Sequence, residues 1–158
     1  MNRFLKIGVV VATCVAAGYF AGLATQSGVK DWYPTLEKPV FNPPSWLFAP
    51  VWSLLYILMG IAAGRVWSRI DFEAAPVRKA LRLFAVQLSL NILWSFLFFW
   101  LHNTLLALIE IALLALLIYE TIVAFKRVDK MAAYLMVPYL LWVCFATVLN
   151  ASLWWLNR

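Results

Sequence analysis

Polar side chains recur at helical spacing inside otherwise apolar stretches of this sequence. Gln87, Asn91 and Ser95 fall at i, i+4 and i+8 and make one stripe, with Trp94 beside it. Trp52, Tyr56, Met59 and Ala63 share a second helical face. Trp142, Ala146 and Asn150 share a third, with Tyr139 one turn before them. Amides, phenols and indoles together supply hydrogen-bonding edges and flat apolar faces. Taken singly, such residues tie membrane helices together or anchor them at the interface. Taken together, the three faces read as a pocket for a flat apolar molecule with a few polar edges.

Other chemistries find no support. There is no Ser/His/Asp constellation, paired carboxylate site or Gly-rich phosphate loop, so neither hydrolysis nor nucleotide chemistry is indicated. One histidine and no His/Cys cluster argue against a protein-ligated metal. Cys14 and Cys144 sit in apolar runs without C-x-x-C spacing and read as small packing residues. Proton-coupled export would want a carboxylate deep in the membrane. Glu110 and Glu120 both lie near the ends of their apolar stretch, about 9 Å or less from the flanking loops at helical rise.

The elements that must carry these faces are membrane helices. The chain has 158 residues, 65% hydrophobic and 13% charged, with a mean hydropathy of +0.86. A soluble domain is nearer half apolar and a quarter charged. The expected fold class is an all-α integral membrane protein, one domain of five spans. A bilayer span needs about 20 apolar residues, which places the helices at about 7–25, 46–66, 83–101, 104–125 and 131–155. The first is long enough, and lacks a clean small-residue cleavage site, so it reads as a retained helix rather than a signal peptide. Gly18-x-x-x-Gly22 and Gly60-x-x-x-Gly64 predict close helix packing, within the chain or at a dimer seam.

Between the first two helices lies Asp31–Tyr56, with prolines at 34, 39, 43, 44 and 50 separated by aromatics. Proline fixes φ and removes donors, so no regular helix is expected here until after Pro50. The segment is too apolar for a solvated linker and reads as a rigid aromatic loop lying on an apolar partner. A second loop is expected at about 67–82 and a tight turn at His102–Asn103. Pro138 predicts a bend in the fifth helix. The net charge is +6, but the basic residues lie at the ends of apolar runs, which signals topology rather than nucleic acid. Ten of them, from Arg3 to Lys130, collect on one side, against Lys30, Lys38 and Arg158 on the other. The positive-inside rule then puts the N-terminus in the cytoplasm and the first loop and C-terminus outside.

Four motifs carry a family resemblance: W-Y-x-x-L-x-K-P-x-F-x-P-P-x-W from Trp32, P-V-W-x-x-x-Y from Pro50, Q-L-x-x-N-x-x-W-S from Gln87, and P-Y-x-x-W-x-x-F-A-T-x-L-N from Pro138. In this order they resemble the TspO/MBR family, which comprises tryptophan-rich sensory proteins and the mitochondrial translocator protein. The resemblance implies a five-helix bundle whose first loop caps a pocket, often a homodimer in bacteria, in a bacterial cell membrane or, alternatively, an outer membrane. It implies binding of porphyrins such as protoporphyrin IX, with no required cofactor, and a role in tetrapyrrole or oxidative-stress responses. The family's pocket contacts match Tyr33, Gln87, Asn91 and Asn150, with Ala146 as its small position, and the capping loop adds Phe41 and Pro44 as candidate ligand contacts. An alternative is light-dependent porphyrin degradation, in which Trp52 and Trp142 would be catalytic; a transporter is third. Mitochondrial members carry a C-terminal cholesterol motif that needs a tyrosine. Residues 146–158 contain none, which puts sterol binding in doubt.

Overall fold

Long apolar runs without internal breakers become helices, and short polar caps start them. The computed structural model describes all residues, Met1–Arg158. Helix α1 spans Arg3–Val29, capped by Asn2, whose side chain accepts from the Leu5 N–H at 2.8 Å. Helix α2 spans Phe48–Trp67, α3 Ala74–Ser95, α4 Thr104–Val128 and α5 Lys130–Leu156. Asn103 caps α4 through the Leu106 N–H at 3.0 Å. Asp129 caps α5, accepting from Met131 at 2.9 Å and Ala132 at 3.2 Å. All five are long and apolar enough to cross a membrane, and no strand is present.

Two local expectations change. Helix α2 begins at Phe48, before Pro50, because a proline in the first turn removes a donor that has no intrahelical partner anyway. Helix α3 begins at Ala74 rather than near 83. Arg78, Lys79 and Arg82 therefore ride on a helix that extends beyond its apolar part, and only residues 68–73 connect it to α2. At its other end α3 widens into a π turn, Phe96–Trp100, closed by Leu101 N–H donating to the Phe96 carbonyl at 2.9 Å. Pro138 lies inside α5, whose helix runs through it.

The two ends of the bundle differ. At the basic end, α1 and α2 touch backbone to backbone. A Cβ added to Gly60 would stand 2.5 Å from the Val11 Cα, and one on Gly64 would stand 2.5 Å from the Ile7 Cα. The Gly60-x-x-x-Gly64 spacing thus serves packing within the chain. Small residues continue this dry core, with Ala62, Ala63, Val66, Val77 and Ala80 all fully buried. Arg65 on α2 reaches the Asp129 carboxylate at 3.0 Å and so clamps the α4–α5 corner. Burial alone would push the Asp129 carboxyl up. The hydrogen bond and charge of Arg65, with the Ala132 and Met131 N–H groups, outweigh it and hold the carboxyl below the ordinary carboxylate range.

Candidate functional site

At the opposite end the helices enclose space. A cavity of about 560 Å³ lies between α1, α2, α3 and α5; α4 supplies none of its wall. The aromatic positions that would otherwise fill the core stand around it. Trp52 lies 5.8 Å from Tyr56, and Trp142 stands edge-on to Phe48 at 6.3 Å and tilted to Phe145 at 5.5 Å. Trp94 stacks on Phe98 at 5.0 Å. Phe98 and Phe99 belong to the π turn, whose extra residue re-aims both rings toward the bundle interior.

The polar stripes meet as the spacing predicts. Tyr56 of α2 donates a hydrogen bond to the Asn91 side-chain oxygen. Asn91 Nδ2 donates to the Tyr139 hydroxyl at 2.9 Å, and that hydroxyl donates to Gln87 Oε1 at 2.7 Å. A second link runs from Trp94 Nε1 to Asn150 Oδ1 at 3.0 Å, and from Asn150 Nδ2 to the Thr104 carbonyl at 2.9 Å. Three helices are cross-tied by the first chain, and α3, α4 and α5 by the second. Each buried polar group that is satisfied this way avoids a desolvation cost of about 1–3 kcal/mol. Gln87 Nε2 is left unpartnered and buried.

The loop forms a lid. Tyr33 is buried and its hydroxyl donates to Asn42 Oδ1 at 2.8 Å. Burial pushes the Tyr33 phenol up, partly countered by Asn42. Lys38 lies over the Tyr33 ring at 5.0 Å while its Nζ donates to the Leu36 carbonyl at 3.0 Å. Trp32 stacks flat on His102 at 4.3 Å, at the α3–α4 turn, where His102 has φ of 53°. Asn157, beyond the end of α5, grips the loop backbone. Its Oδ1 accepts from the Glu37 N–H at 2.8 Å, and its Nδ2 donates to the Glu37 carbonyl at 2.9 Å.

Of the predicted contact residues, Tyr33, Trp52, Tyr56, Asn91, Trp94, Ser95, Trp142, Ala146 and Asn150 line this cavity. Four stand off its wall. Gln87 and Tyr139 are fully buried behind Asn91, spent on helix–helix hydrogen bonds. Phe41 packs against Phe145 at 6.3 Å, and Pro44 caps the short helical turn Ser45–Leu47, whose Ser45 reaches the cavity. These two act on the cavity through the residues they hold. Glu110 is turned inward on α4 and is 7% exposed, with both carboxylate oxygens unpartnered, and it does not reach the cavity. Glu120 is exposed and lies beside Lys79 and Arg127.

Residues 10–156 match the model of the TspO/MBR family. The chain belongs to that family. It is 41% identical to Tryptophan-rich protein TspO of Chlorobaculum tepidum, over 99% of each chain. It is 34% identical to Translocator protein of Bos taurus, over 89% of this chain and 83% of that one. It is 39% identical to Tryptophan-rich sensory protein of Cereibacter sphaeroides, over 80% and 77%. Like the family, this chain is an integral multi-pass membrane protein. In this TspO/MBR bundle the contribution that sequence reasoning missed is α1's, chiefly Gly22, Thr25 and Gln26, together with Phe48 and Phe145. The Gly18-x-x-x-Gly22 spacing was the available signal. Gly18 packs on the Tyr56 ring, but a Cβ on Gly22 would meet nothing within 4 Å, because Gly22 faces the cavity.

Proposed function

We propose that the protein is a membrane receptor or sensor that binds a porphyrin, such as protoporphyrin IX, between its helices under the first loop. The observation that carries this reading is the cavity: about 560 Å³, walled by indoles and phenyl rings, with Asn91, Ser95 and Asn150 as polar edges. A flat macrocycle offers faces to Trp52 and Trp142 and a polar rim to the amides. The sensory and translocator names of the relatives agree with a binding role. Titrating purified protein with protoporphyrin in the dark should shift the Soret band saturably. No shift at any porphyrin concentration would sink the reading.

A second reading is favoured by one observation: Trp52 and Trp142, both readily oxidised, line the same cavity. In that reading light-driven loss of porphyrin depends on these indoles. Trp52→Phe and Trp142→Phe keep aromatic volume and should keep affinity within a few fold, while bleaching at equal occupancy falls sharply. Equal bleaching rates in wild type and both variants would leave a binding protein alone.

For orientation, the charge asymmetry supports a cytoplasmic basic end. A membrane-impermeant thiol reagent applied outside should modify a cysteine at Ser27 and spare one at Ala75. The opposite pattern would invert the assignment.

A further inference from the structure

The same two helices that touch at the basic end separate toward the loop end. Helix α1 follows α2 closely through Ile7, Val11 and Gly18. Beyond Gly18 it leans toward the π turn instead. Phe20 lies 5.7 Å from Phe96, Gly28 packs on the Phe99 carbonyl, and Ser27 Oγ reaches that carbonyl at 3.4 Å. Across from this part of α1, residues Phe48 to Ile57 of α2 stand on the other side of the cavity, so the pair forks around it. Its wall there includes surface residues: Tyr19 of α1 is 73% exposed and Ile57 of α2 is 40% exposed, with exposed Ser53 one turn nearer the loop end than Ile57. Between them Gly22 adds no side chain, and the space where one would stand is open.

Depth decides what this opening faces. Tyr19 is ten residues before the end of α1, about 15 Å along the axis at helical rise. Ile57 is nine residues into α2, about 14 Å. A hydrocarbon core is about 30 Å thick, so the opening lies near mid-membrane and faces acyl chains. Toward the loop the exposed wall continues through Gln26, Ser45 and Ala49, but the lid itself is held shut. It is fastened by the Trp32–His102 stack, the Tyr33–Asn42 hydrogen bond and the paired Asn157–Glu37 hydrogen bonds.

We propose that the ligand reaches and leaves the cavity sideways, from the lipid through the α1–α2 fork, and that Gly22 is the residue that keeps this opening passable. The inference rests on the porphyrin-binding reading. A planar apolar molecule partitions into the bilayer before it meets the protein, so the fork receives it already dehydrated, and the lid need not open. Gly22 also sets which ligands pass, since any larger side chain there would narrow the opening.

Two changes separate the routes. In a Cys144→Ser background, Glu37→Cys with Asn157→Cys would lock the lid by a disulfide where Asn157 now grips the loop. Gly22→Phe would obstruct the fork. Protein in lipid nanodiscs is mixed with protoporphyrin-loaded vesicles, and the Soret shift is followed in time and at equilibrium. The locked lid should leave association within about twofold, whereas Gly22→Phe should slow association and dissociation together by about tenfold. A locked lid that abolishes association while reduction restores it would overturn the lateral route. So would a Gly22→Phe variant that only dissociates faster, which would place Gly22 in the wall and not in the passage. A wild type with no equilibrium shift fails differently, because it removes the porphyrin reading itself.

Discussion

The basic half of the bundle and the loop half are made by the same helices and solve opposite problems. In the basic half, glycine and alanine let backbones meet, and Met59, Ala62, Ala63 and Val66 leave no exposed surface. In the loop half, Trp52, Trp94, Trp142, Phe98 and Phe99 stand around a void. Small side chains in lipid produce contact, because close approach maximises dispersion and weak backbone interactions. Large rigid rings that cannot interdigitate produce space. The difference teaches that close packing and open space are separated along the membrane normal: one half holds the fold, which lets the other half stay open.

Breaking the closed half should have the largest effect. Gly60→Leu would drive a side chain into the Val11 backbone, where a Cβ alone already stands 2.5 Å away. The expected loss is about 3 kcal/mol or more, read as a fall in the thermal midpoint in detergent. Retained stability would mean that α1 can move off α2 freely, and the contrast between halves would collapse.

Filling the open half should act on ligand and spare the fold. Ala146 lines the cavity on the face of Trp142. Ala146→Phe should weaken porphyrin binding at least about tenfold, or ~1.4 kcal/mol, with the thermal midpoint of the unliganded protein unchanged. Unchanged affinity in a folded variant would place the ligand elsewhere.

The smallest effect sharpens the electrostatic side of the comparison. Asp129 is held ionised by Arg65 and the α5 N–H groups, so its folded-state pKa lies below its unfolded one. A depressed carboxyl contributes stability above the unfolded pKa, near 4, and loses it as pH falls through the folded value. Wild type should therefore lose stability on acidification below about pH 4. Asp129→Asn keeps an N-cap, since asparagine caps as well as aspartate, but should lack that acid-dependent step and start about 1 kcal/mol lower at neutral pH, the scale of a lost, partly exposed ion pair with Arg65. An unchanged acid profile in the variant would mean that the clamp carries no stability.

Much of this architecture is legible in the sequence. Apolar length forces backbone groups to be satisfied within helices, so five runs of suitable length dictate five spans. Helical period places Gln87, Asn91 and Ser95 on one stripe, and Trp142, Ala146 and Asn150 on another, whatever they pack against. The prolines at 34, 39, 43 and 44 exclude a long helix and so require a loop. Only the tertiary structure decided what each face does. Period alone cannot distinguish a residue on the cavity from one just behind it. Asn91 and Ala146 thus line the space, while Gln87 and Tyr139 are consumed in hydrogen bonds between helices. Nor can spacing distinguish Gly60, which has a backbone against it, from Gly22, which has none. The π turn at Phe96–Trp100 has no breaker to announce it; it sets Phe98 and Phe99 on the cavity wall and leaves Trp100 exposed. Faces follow from local geometry; partners follow from how neighbouring helices tilt, and that depends on every contact along both of them.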